Sequence, residues 1–219
     1  MTGTRPGRFI TVDGPGGVGK SSTVAALVGL LADRGEDVHA TREPSSSPIG
    51  QFIRTNADDY DGRTLACLVV ADRHHHVTRE IVPRLEAGTT VVCDRYVAST
   101  LVVQRLDGVP ARYLLDLNAG IRMPDLAVVL TADPRLIAAR IAERGATHRF
   151  NRDPSAPARE TALYAGAVAT LDGMDVPVLT IDTGTAAPPA VAASIARRIG
   201  WAARVPQQLD PRTQGATPQ

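Results

Sequence analysis

With 219 residues and 43% hydrophobic content the chain can build one substantial core, and no apolar run approaches the roughly 20 residues of a membrane span. A formal net charge of +1 argues against a large nucleic-acid footprint, and 4% aromatic residues leave few platforms for stacked bases. The opening MTGTRPGRF has no signal-peptide stretch, so a cytoplasmic protein is expected, with neither membrane nor nucleic acid as partner.

Residues 8–13 (RFITVD) read as a buried strand, and a helix is expected over 20–34. Between them, GPGGVGKS at 14–21 fits G-x-x-x-x-G-K-[ST], the pattern of a loop whose main-chain N–H groups turn inward onto a polyphosphate. Gly14, Gly16, Gly17, Val18, Gly19, Lys20, Ser21 and Ser22 are therefore expected to hold ATP. In such a loop the lysine reaches the β- and γ-phosphates and the hydroxyl of Ser21 binds Mg²⁺. Lys20 is the only lysine among 24 basic residues. A slim ammonium and a planar guanidinium are different objects, and arginine would not serve at this point.

A second strand is expected over 37–42 (DVHATR), then one long helix over 64–87 with a kink at Pro83. His74, His75 and His76 project about 100° apart on that helix and cannot converge on one ion. Cys67 and Cys93 have no metal or redox spacing and are expected as reduced core residues. The third strand, 89–94 (TTVVCD), ends on Asp94, where a carboxylate can hold Mg²⁺ opposite the phosphate loop. A fourth strand over 126–131 leads through Asp133-Pro134 into a helix over 134–144, since proline after an acidic cap starts helices well. Residues 145–158 break the rhythm with polar, arginine-bearing sequence, either a mobile flap or a surface loop, and the last strand covers 177–182. Strand and helix alternate throughout. The expected fold is a three-layer α/β domain over 1–203 with a parallel five-stranded sheet, followed by a disordered tail over 204–219.

In chain order these pieces resemble the thymidylate kinase family of P-loop kinases over roughly residues 8–183. After the phosphate loop come Thr41-Arg42-Glu43-Pro44 with Arg54, then Ala71-Asp72-Arg73, then Asp94-Arg95-Tyr96 with Ser99 and Gln104. Met123-Pro124-Asp125-Leu126, Arg140, Arg144, Arg149-Phe150 and Tyr164 follow. The resemblance implies that Arg95 grips the acceptor's phosphate or the γ-phosphate, and that Arg42, Arg54 and Arg73 line the acceptor pocket beside Glu43, Asp72 and Ser99. It implies further that Arg140 and Arg144 open a lid, that Arg149 and Arg152 close from it onto ATP, and that the chain forms a homodimer.

The sequence departs from the family on the acceptor side. The family's loop carries an acid where Gly16 stands, a phenylalanine where Val69 stands and a tyrosine where Val103 stands; REPGG becomes REPSSS, and His148 and Asn151 replace lid acids. Stacking on a ring contributes ~1–3 kcal/mol per base, so these losses are not neutral. They direct the expectation towards a small-molecule hydroxyl kinase acting on an aminoglycoside-like or aminocyclitol acceptor, bound by Asp13, Glu43, Asp72 and Ser45 to Ser47. A hydroxyl acceptor makes a general base useful, either Asp13 or Asp94, with Asp13 alternatively orienting Arg95 or the metal. The alternatives are a thymidylate kinase with an altered pocket and a non-catalytic nucleotide-binding regulator.

Overall fold

A computed structural model describes residues 7–144 and 155–200. The expected tail and most of the 145–158 segment, with Arg149, Arg152, His148 and Asn151, lie outside the described residues.

Five strands form one parallel sheet: β1 (Phe9–Asp13), β2 (Val38–Arg42), β3 (Thr90–Asp94), β4 (Leu126–Thr131) and β5 (Val178–Asp182). Their spatial order is β2-β3-β1-β4-β5. The three central strands are the most apolar, and β1 is buried throughout. At the edges β2 and β5 are only partly buried, matching their more polar sequences VHATR and VLTID. The chain crosses from β1 to β2 on one side of β1 and returns to β4 on the other. This reversal leaves an open crevice at the carboxyl ends of β1 and β3, where open α/β sheets bind ligands. The register sets Val12 beside Asp94 and Asp13 beside Val129, so the two strand-end carboxylates stand close together.

Helices cover both faces. On one side α1 (Lys20–Ala32), α7 (Pro134–Arg144) and α9 (Pro188–Arg198) bury Leu27, Ile137 and Ile195 against Ile10, Val128 and Leu130. On the other, α3 (Gly62–His76), α4 (Val82–Glu86), α5 (Val97–Leu106), α6 (Ala111–Leu117) and α8 (Ala156–Asp172) pack Ala66, Leu101, Leu114 and Tyr164 against Phe9, Val91 and Val129. Each face is a dry cluster, so the sheet reads as near-continuous apolar sequence. Among the described residues no helix is long and apolar enough to cross a membrane.

The expected single helix over 64–87 is divided. Regular geometry ends at His76, a wide π-helical turn spans Val77–Ile81, and α4 follows with Pro83 in its first turn. Proline lacks an N–H, so the carbonyl four residues earlier loses its partner, and the wider turn absorbs the mismatch. Asp133 caps α7 as its sequence suggests, its side chain accepting from Arg135 N–H at 2.7 Å. Cys93 is buried, but Cys67 is exposed, with its sulfur 3.5 Å from the Tyr113 hydroxyl.

The remaining helix, α2 (Pro48–Asn56), starts on Ser47, whose hydroxyl accepts the Gly50 N–H at 3.1 Å. A Cβ on Gly50 would lie 2.0 Å from the Ser45 carbonyl oxygen. Neither backbone can yield. Gly50→Ala should therefore lower stability by at least about 1–3 kcal/mol, the usual range for overpacking, as urea unfolding would measure.

Candidate active site

The loop between β1 and α1 turns as its glycines permit. Gly14 has φ +145°, and a Cβ there would meet the Leu130 carbonyl oxygen at 2.5 Å. Val18 faces the core rather than the crevice, and its carbonyl accepts from Thr183 Oγ1 at 2.9 Å. The Lys20 ammonium lies back on its own loop, donating to the carbonyls of Gly14 at 2.8 Å and Pro15 at 2.7 Å. Burial, helped by the Arg95 guanidinium, pushes its pKa down to about 7, while Asp94, Glu160 and Asp13 pull the other way.

Ser21 Oγ donates to Asp94 Oδ2 at 2.6 Å. Asp94 Oδ1 is buried and, among the described residues, has no hydrogen-bond partner. An acceptor-only carboxylate oxygen beside a hydroxyl at the mouth of a phosphate loop is a donor set that fits Mg²⁺.

Asp13 is fully buried and lies behind the crevice wall. Its Oδ1 accepts from Tyr96 N–H at 2.8 Å, Ser99 N–H at 3.0 Å and Ser99 Oγ at 2.6 Å, which fastens β1 to the start of α5. Burial raises its pKa against the pull of these hydrogen bonds. Between Asp94 and α5, Arg95 adopts φ +73°. Such a conformation costs a non-glycine residue about 1–3 kcal/mol, and its N–H, donating to Val12 O at 2.9 Å, holds it there. The strained residue stands on the wall of a cavity of about 720 Å³.

The wall of that cavity combines the phosphate-loop residues Gly16, Gly17, Gly19, Lys20, Ser21 and Ser22 and the strand-end Asp94 with the apolar side chains of Ile53, Leu65, Val69 and Val103. It also includes Arg42, Arg54, Arg73, Arg95, Glu43 and Ser99. Arg73 is almost wholly buried. It gives Nε and Nη2 to Glu43 Oε2 at 2.8 and 2.5 Å, Nη1 to Asn118 at 2.7 Å and Nη2 to Thr100 at 2.9 Å, and it stacks over the Tyr96 ring. Burial opposes its charge, but Glu43, Tyr96 and Asp13 together outweigh burial and raise its pKa. Of five guanidinium N–H groups these bonds engage four, leaving one on Nη1.

Several residues expected to face the acceptor or, for Arg140, to open the lid over ATP are engaged elsewhere. Asp72 is turned away from the cavity, accepting from Ser45 N–H at 2.6 Å, Ser45 Oγ at 2.6 Å and Ser47 Oγ at 2.8 Å. The serines of REPSSS thus tie the loop to α3. Arg54 braces the same loop by donating to the carbonyls of Pro44 and Ser45. Arg140 donates to Thr183 O at 3.3 Å, off the cavity wall. The side chain of Arg144 lies outside the described residues. Among the described residues no three His, Cys, Asp or Glu side chains gather as metal ligands; His76 is buried against Thr41 at 2.8 Å and Glu43 at 3.4 Å, while His74 and His75 are exposed.

One acid escaped the sequence reading. Glu160 reaches the phosphate loop from α8, its Oε2 accepting the Gly16 N–H at 2.9 Å. A signal existed: Ala156, Glu160, Tyr164, Ala167 and Leu171 form the buried stripe of α8, and an acid on such a stripe needs a partner.

This fold, with an ammonium-bearing phosphate loop facing a strand-end carboxylate, defines a P-loop phosphotransferase. The thymidylate kinase family model matches residues 12–174. The probable thymidylate kinase of Caldivirga maquilingensis is 37% identical over 149 residues, covering 66% of this chain and 73% of that protein. The thymidylate kinase of Magnetococcus marinus is 39% identical over 157 residues, 67% of this chain and 75% of that one. A solved thymidylate kinase from Candida albicans, at 20% identity, shares the fold with a TM-score of 0.74 over 89% of this chain and 91% of its own. The chain belongs to the thymidylate kinase family and is an ATP-dependent kinase that works with Mg²⁺.

These matches overturn the aminoglycoside-like acceptor expected from the sequence. The physical reason lies in the cavity. Most of the hydroxyls and acids meant to bind a polyhydroxylated molecule are engaged internally, Ser45 and Ser47 by Asp72 and Glu43 by Arg73. Asp13 lies off the cavity wall, with Oδ1 bonded to Tyr96 and Ser99 and Oδ2 buried with no partner among the described residues.

Phosphates arriving beside Lys20 favour its charged form, so nucleotide binding should take up a proton wherever the empty protein holds the amine neutral. Affinity is expected to fall as pH rises above about 7 and to level off below it. Titration calorimetry at pH 8 in two buffers of different ionisation enthalpy measures this uptake directly.

Proposed function

We propose that the chain transfers the γ-phosphoryl group of ATP to the 5′-phosphate of thymidylate, yielding ADP and the diphosphate. The observation that carries this reading is one cavity whose wall brings together the phosphate loop, four arginines and the apolar side chains of Ile53, Leu65, Val69 and Val103. Val69 and Val103, with Leu65 and Ile53, offer the cavity methyl-covered faces in place of rings, enough to take a pyrimidine out of water. Arg73 lines the cavity and keeps one N–H beyond its four hydrogen bonds, which this reading assigns to a base carbonyl.

A phosphate acceptor also removes the need for a general base, because its attacking oxygen is already ionised at neutral pH. The burial of Asp13 is compatible with this, and its role becomes the placement of Ser99 and the Arg95 turn. Arg95 and Arg42 are suited to holding acceptor and transferring phosphates together, a positioning task that accounts for most of such catalysis. Lys20 would leave its own carbonyls for the β- and γ-oxygens. Ser21 and Asp94 would hold the Mg²⁺ ion, which supplies charge neutralisation when bound. Arg149 and Arg152 are proposed, from the family likeness alone, to add cations from the lid. The family likewise supports a homodimer with α3 among the paired helices.

A coupled ADP-release assay is expected to show turnover with thymidylate well above that with purine monophosphates, deoxynucleosides or aminocyclitols; no thymidylate-dependent release would defeat the reading. Lys20→Arg should keep the fold by circular dichroism yet lose roughly 100-fold or more in kcat, since a guanidinium cannot follow the ammonium's path.

A further inference from the structure

The phosphate loop is closed on itself. Its ammonium is held by two carbonyls of the same loop, at 2.8 and 2.7 Å, and one of its amides is held by a carboxylate. That carboxylate belongs to Glu160, 144 positions away in sequence, 6% exposed, and itself part of the cavity wall. Inward-facing amides at the start of a helix attract anions, and here an anion of the protein's own is already seated on one of them.

We propose that Glu160 is an internal counter-anion of the phosphate loop, which the phosphates of an incoming nucleotide must displace from the Gly16 amide. Two observations favour this over a bond that only braces the fold. Glu160 lines the same cavity as Lys20, Ser21 and Arg95, so arriving phosphates meet its charge directly. It also lies near enough to Lys20 to help hold the ammonium's proton, and so stabilises the empty loop electrostatically as well as by hydrogen bonding. A carboxylate left in place beside a polyphosphate would face like charge in a partly desolvated crevice, where repulsion far exceeds that at an open surface.

Binding therefore exchanges two contacts at once. Lys20 leaves the carbonyls of Gly14 and Pro15, and Glu160 leaves the Gly16 amide. Because Glu160 is fixed to the buried stripe of α8, between Ala156 and Tyr164, the exchange makes that helix sense whether the loop is filled.

The inference rests on nucleotide binding at the loop and not on the identity of the acceptor, so a failed thymidylate assay would leave it standing. The test is equilibrium binding of ATP, ADP and adenosine with Mg²⁺ present and acceptor absent. Glu160→Gln preserves shape and a hydrogen-bonding oxygen but removes the charge. It is expected to bind ATP about tenfold tighter than the natural chain, ADP less so, and adenosine unchanged. Unchanged or weaker ATP binding would overturn the proposal, as would an equal gain for adenosine. Weaker thymidylate binding with unaltered ATP affinity would also overturn it and place the acid on the acceptor instead. Should Glu160→Gln fail to fold, hydrogen exchange of the natural chain decides. ATP is expected to speed exchange over residues 157–164 as the Gly16 contact is released, and unaltered or slower exchange there sinks the idea.

Discussion

A phosphate loop concentrates donors that point the same way, and this convergence is the constraint around which the molecule is organised. Empty, such a loop is a ring of buried N–H groups with an ammonium at its edge, and each of these is costly without a partner. The fold meets the cost from within. Lys20 folds onto the carbonyls of Gly14 and Pro15, Ser21 meets Asp94, and Glu160 meets Gly16. The depressed pKa of Lys20 measures what remains unmet, since two neutral carbonyls do not replace the hydration of an ammonium.

The rest of the architecture supplies these partners from distant parts of the chain. The sheet order sets β3 against β1, which delivers Asp94 to Ser21 and makes Arg95 turn through a left-handed conformation into the crevice. Beneath it Asp13 is not a free acid but a fastener, taking three donors from the start of α5. Elsewhere on the cavity wall Arg73 is held by Glu43, Asn118, Thr100 and the Tyr96 ring, contributions from three separate parts of the chain: the end of β2, the end of α6 and the start of α5. A charge so fully engaged cannot swing, so the cavity beside it has a fixed electrostatic shape.

Much of this was legible in the sequence because it is local. All five strands lie within a residue of their expected bounds, since each is a short apolar run between turn residues. The phosphate loop is contiguous, so its spacing alone announces it. What was not legible depends on pairing across the fold. Ser45 and Ser47 look like hydroxyls offered to a ligand until Asp72, 27 and 25 positions away, is seen to accept from both. The valines at 69 and 103, taken alone, suggest a lost aromatic pocket and hence a changed substrate. A wall's chemistry, however, is set by all the residues that share it, and here Ile53 and Leu65 add apolar surface to that of the two valines. For Glu160 the stripe of α8 announces a buried acid that needs a partner, but the partner itself is a main-chain amide, which leaves no trace in side-chain patterns.

The solitary lysine gives the protein an uncommon chemical property. Apart from the α-amino group, the chain carries a single primary amine, on the wall of the candidate site, and burial lowers its pKa to about 7. Reagents selective for amines thus have one internal target. Isotopic methyl groups attached there would place a lone spectroscopic reporter within the phosphate loop.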